Sequence, residues 1–103
     1  MLFPMKIKEK KIYKALSAVM DPEMDISIVD LGLIRKVTVG KNDVVTIFFT
    51  LTIPGCPMVQ TIKKDIVRTV KKLGFKSVKT KLSFDPPWSI ADMSSASRAK
   101  LGI

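Results

Sequence analysis

Apolar and polar positions change period several times along this chain, and each change marks an element. In "KIKEKKIYKALSAVM" the residues Ile12, Ala15, Leu16 and Val19 recur at i, i+3, i+4 and i+7, with lysines opposite. That spacing puts one apolar stripe on a helix, which Asp21-Pro22 should end, because proline disfavours helical geometry in the residue before it. "DPEMDISIVDLGL" then alternates acids with apolar residues and fits neither a tight turn nor a solvated tail. It reads as a structured loop with a helical turn near Ile28–Leu31, closed by Gly32. "LIRKVTV" and "VVTIFFTL" are rich in β-branched and aromatic residues and flank "GKND", a hairpin signature. The second of these strands is apolar at nearly every position, as suits a strand covered on both faces or central in a sheet.

The helical period returns after "LTIPGCP". Met58, Ile62, Ile66, Val70 and Leu73 form a stripe that Val59 and Val67 widen. Pro57 suits the first helical position and Gly74 the C′ position, with Lys63, Lys64, Lys71 and Lys72 as the wet side. "SVKTKLSF" sets Val78, Leu82 and Phe84 against lysines as a strand, and "DPPWS" is a rigid turn. "SSASRAKLG" reads as a closing helix with Ser94 or Ser95 as N-cap and Gly102 at its end. The order α-β-β-α-β-α predicts an α+β domain with a small three-stranded mixed sheet packed against helices. The hairpin gives the antiparallel pair and the helical crossover gives a right-handed parallel pair. The 103 residues suit a single domain, with Met1–Pro4 loose. No repeat, linker or low-complexity segment interrupts it.

Composition narrows the chemistry. Hydrophobic residues are 47% and charged residues 26% of the chain, a globular balance. A single cysteine allows no intrachain disulfide and points to a reducing cytoplasm. No apolar run approaches the roughly 20 residues of a membrane span, so no membrane association is expected. Eighteen Lys and Arg against nine Asp and Glu give a charge of +9, which attracts anionic partners. Nucleic acid is disfavoured among them, because no basic-aromatic interleaving is present. Asp21, Glu23, Asp25 and Asp30 fall in one stretch without Lys or Arg, an acidic loop on a basic body. Histidine is absent, which excludes a Ser-His-Asp triad, a Cys-His pair and histidine metal sites within this chain. Neither a P-loop nor a dinucleotide fingerprint occurs. With no base at fixed spacing from the cysteine, the chain is not expected to be an enzyme.

Cys56 therefore carries most of the chemical question. Placed at the N-cap of the second helix, it would sit among amides that lack intrahelical partners and favour a thiolate. Gly55 would leave room for approach. The same residue is equally readable as a small buried hydrophobe. The acids of the loop can bind cations or partners, or simply cap local turns. Trp88 can dock a partner or close the core as a lid.

Four motifs in order, "DPEMDISIVDLGLI", "LTIPGCP", "DPPWS" and "RAKLGI", resemble the family of SufT-like and PaaD-like proteins, which includes the eukaryotic cytosolic iron–sulfur targeting factor. The resemblance covers about Lys8 to Ile103 and implies an iron–sulfur cluster assembly domain that assists maturation of iron–sulfur proteins. It implies that Cys56, with Thr52 and Gly55 in the same motif, is the metal-ligating and cluster-contacting position. The family's "DPE" acids are similar to Asp21 and Glu23, and its "DPPW" element to Asp85–Trp88; as surface candidates, Asp21, Glu23, Asp25, Asp85 and Trp88 are the expected partner-binding set. A cluster usually takes four thiolates, so one chain with one cysteine holds none permanently. Transient ligation is the expectation, with a homodimer, a scaffold or carrier protein (a P-loop scaffold ATPase among them) or a client apoprotein completing the set. The extra cysteine-bearing tail of PaaD-like members is missing. The competing reading is an adaptor in which the cysteine only packs.

Overall fold

The computed structural model describes residues 6–53 and 57–103. Helix α1 (Ile7–Leu16) is followed by a two-stranded ribbon, β1 (Met20–Asp21) and β2 (Ile26–Ser27). Strands β3 (Ile34–Val39) and β4 (Val44–Phe49) come next, then helix α2 (Val59–Lys71), strand β5 (Ser77–Leu82) and helix α3 (Ser95–Leu101). The main sheet has the order β3-β4-β5. β3 and β4 are antiparallel, while β4 and β5 are parallel, so the mixed three-stranded sheet is as predicted. The Met1–Pro4 expectation lies outside the described residues.

α1 packs on β3, α2 on β5, and the two helices on each other. One face of the sheet is thereby buried. On β4, the central strand, burial alternates: Val45, Ile47 and Phe49 are buried, and Val44, Thr46 and Phe48 are half-buried. Its near-continuous apolar sequence therefore reflects a central position rather than complete cover on both sides. On the outer face Phe48 lies between two ammonium groups, Lys36 Nζ at 6.0 Å and Lys81 Nζ at 5.7 Å from the ring centre. Ile12 and Leu16 of α1 and Ile62, Ile66 and Val70 of α2 complete the core with Ile28, Leu31 and Leu33.

Three predicted boundaries are corrected. α1 stops at Leu16 rather than running to Asp21-Pro22; Val19 is still buried, but its carbonyl accepts from Ile28 N at 2.9 Å and ties the chain into the ribbon. The loop expected after it contains β1 and β2, too short to leave a period in the sequence. α2 opens at Val59 with Met58 as its N-cap, whose carbonyl accepts from Ile62 N at 3.0 Å; Pro57 belongs to the preceding turn. Cys56 therefore precedes the cap by two positions and is not the N-cap residue. At the other end Lys72 is the C-cap, so Gly74, at φ +106°, lies one residue beyond C′. α3 follows its prediction: Ser94 caps it by accepting from Ser97 N, and Gly102 closes it at φ +74°.

Burial, and then the Asp30 carboxylate, push the Tyr13 phenol above its ordinary value of 10.0. The folded chain keeps that proton to higher pH than the unfolded chain does. Below about pH 10 both states are protonated and the group adds no slope. Above it the unfolded state ionises first, so stability falls as pH climbs toward the folded value. Tyr13→Phe should flatten that alkaline fall, read as urea midpoints across the range.

Candidate functional site

The acidic loop is organised by one buried carboxylate. Asp21 is 7% exposed, and its Oδ1 accepts from the amides of Glu23 at 2.8 Å and Met24 at 3.1 Å. Its carbonyl accepts from Asp25 N at 2.9 Å, and Asp25 adopts φ +54°. This Asx turn lets the chain reverse between β1 and β2, paired Met20↔Ser27 and Asp21↔Ile26. Asp21 thus holds the loop together, its carboxylate turned to the amides of its own turn. Glu23 and Asp25 face outward. Asp21→Ala should cost about 2 kcal/mol, because two amides lose a charged acceptor. Asp21→Asn should recover part of that in urea denaturation, since its amide oxygen can still accept.

Downstream, the "DLGL" segment makes one helical turn with a Schellman closure. Leu33 N donates to Ile28 O at 2.9 Å and Gly32 N to Val29 O at 3.0 Å, with Gly32 at φ +76°. Asp30 contributes through its carbonyl, which accepts from Ser94 N at 2.8 Å and Ser97 Oγ at 3.0 Å. Trp88 Nε1 donates to Leu31 O at 2.6 Å, and the half-buried indole packs against the core. Lys100 Nζ donates to Asp25 O at 2.9 Å. Trp88 is therefore a lid whose polar handle is used internally. Asp85 is exposed in the turn before it, where its N–H donates to Ser83 Oγ at 3.2 Å.

These segments meet at one end of the sheet. Thr50 N, just past β4, donates to Leu33 O at 2.8 Å. Ser83 N, just past β5, donates to Phe49 O at 3.0 Å. The entry to β3 and the exits of the parallel pair β4 and β5 thus lie side by side. "DLGL", the start of "LTIPGCP" and the approach to "DPPW" share this end. Leu51 is buried, Thr52 half-buried, and Ile53 projects at 61% exposure. Gly55 and Cys56 lie outside the described residues. Among the described residues no three His, Cys, Asp or Glu gather as a metal site.

Two features here escaped the sequence reading. Thr50 is fully buried, and its Oγ1 meets no hydrogen-bond partner among the described residues. The Thr50 hydroxyl inside the otherwise apolar "IFFTL" was the available signal. Ile53, an exposed aliphatic beside Pro54, was hidden because an apolar residue after a strand reads as core.

A sequence profile described as "iron-sulfur cluster assembly protein" matches residues 9–80, and the chain belongs to that family. It is 40% identical over 96 residues to an Fe-S protein maturation auxiliary factor of Porphyromonas gingivalis, covering 92% of this chain and 91% of that one. It is 35% identical over 86 residues to the Fe-S protein maturation auxiliary factor SufT of Staphylococcus aureus, covering 82% and 98%. A domain of unknown function from Bacillus anthracis superposes with a TM-score of 0.89 at 36% identity, over 93% of this chain and 92% of that one. The α+β fold and the SufT-like resemblance are both borne out.

Proposed function

We propose that this chain is a non-enzymatic accessory factor in iron–sulfur protein maturation, in which Cys56 ligates a cluster in passage as cargo. The observation that carries the reading is the meeting of three motif segments at one end of the sheet, where "LTIPGCP" leaves β4. Family membership and the maturation-factor names of its relatives support it. One thiolate supplies one of the four ligands a cluster usually takes. The others come from a second copy of this chain, a small thiol, a scaffold or carrier such as a P-loop ATPase, or the client apoprotein. Thr52 and Gly55 shape the approach to the sulfur. Glu23, Asp25 and Asp85, all exposed, contact the partner, with the outer edge of Trp88 beside them. The setting is the reducing cytoplasm, where a lone thiol persists.

The exposure of Ile53 and of the loop acids also favours a second reading, an adaptor that docks partners while Cys56 packs. A strain lacking this gene separates the two. Cys56→Ser should leave its iron–sulfur enzymes as inactive as no complementation at all, with the variant protein folded and present at wild-type level. Full restoration by the serine variant would leave the adaptor.

A further inference from the structure

Helix α2 carries two stripes. One, with Ile62, Ile66 and Val70, is buried in the core. The other runs from Gln60 to Lys72 and, with Thr80 of β5, lines a groove of ≈ 680 Å³. Its walls hold five cations, Lys63, Lys64, Arg68, Lys71 and Lys72, around Val67, which is half-buried. The helix offers a single acid, Asp65, and that carboxylate is paired to Arg68.

This face is more than a wet side. Lys64 and Lys72 each stand four residues from Arg68, and like charges at that spacing destabilise a helix. An anionic occupant removes the repulsion. The lysine stems offer hydrocarbon along the groove while their ammonium groups stay at its rim. A matching ligand needs aliphatic groups against Val67 and carboxylates spaced along about 20 Å, the length of α2. A phosphate backbone has the charge but not the aliphatic groups.

We propose that this groove docks an acidic amphipathic helix of a partner protein, lying along α2 with its apolar side on Val67. The inference is independent of Cys56, and its failure would leave the cysteine reading untouched. The test uses a fluorescein-labelled synthetic peptide of about four turns, with leucines on one face and glutamates flanking them. Anisotropy is read in low and in physiological salt. Lys64→Glu/Lys71→Glu should weaken binding at least tenfold, and Lys64→Gln/Lys71→Gln should weaken it by a smaller factor. Lys10→Glu/Lys14→Glu on α1, with the same change in net charge, should change it less than twofold. Replacing the peptide's leucines by serine should weaken it tenfold or more. Equal losses for the α1 and α2 charge reversals would overturn the proposal, as would no binding by the native chain in low salt. Tighter binding of a single-stranded oligonucleotide through the same lysines would also overturn it, in favour of nucleic acid. Matching urea midpoints among the variants exclude unfolding as the cause.

Discussion

Gly32→Ala is expected to remove about 3 kcal/mol or more of stability, a large share of the roughly 5–15 kcal/mol that holds a domain of this kind. Two costs combine. At φ +76° a residue with a Cβ sits in the left-handed region, which costs about 1–2 kcal/mol. A Cβ at Gly32 would also stand 2.1 Å from the carbonyl oxygen of Asp92. That atom is backbone, so relief requires moving the segment that carries Ser94, whose N–H is fixed to Asp30 O. Overpacking of this sort adds about 1–3 kcal/mol. Gly74→Ala is the control: it shares a positive φ but meets nothing within 4 Å. It should lose only about 1–2 kcal/mol, the backbone cost alone. Equal urea midpoints for the two variants would mean that Asp92 does not press on Gly32.

Trp88→Ala should rank next, at about 3 kcal/mol, the lower end for loss of a large aromatic because this ring is half-buried. Trp88→Phe divides the effect. It keeps most of the packing and loses the N–H to Leu31 O, so it should cost about 1 kcal/mol. Were Trp88 chiefly a docking platform, both variants would keep the native urea midpoint and lose only partner binding. Gly32 and Trp88 act on the same junction, between the "DLGL" turn and the segment that carries Trp88 and Asp92, and their combined loss should not be additive.

Elements with a complete period were legible in the sequence. The Ile62–Ile66–Val70 stripe, the hairpin around "GKND" and the caps of α3 all follow from local rules and stand as predicted. Boundaries set by distant contacts were not. Val19 keeps helical phase with Leu16 yet reaches the core after the helix has ended, held by Ile28. The two-residue strands around Asp21 leave no period, so its buried carboxylate looked like one more loop acid. Pro57 suits a first helical position by its ring geometry, but the chain spends Pro57 and Met58 on a turn. The site was legible as motifs and not as geometry. Nothing local says that the exits of β4 and β5 lie against Leu33, because the bonds that join them span long stretches of chain.

Cluster ligation by the lone thiol is the claim on which the functional account stands. Anaerobic reconstitution with iron, sulfide and glutathione tests it most directly, run on the native chain and on Cys56→Ser side by side. The native chain should gain visible iron–sulfur absorbance that it surrenders to an apoprotein acceptor, and the serine variant should gain none. Equal absorbance and equal transfer in both chains would contradict it.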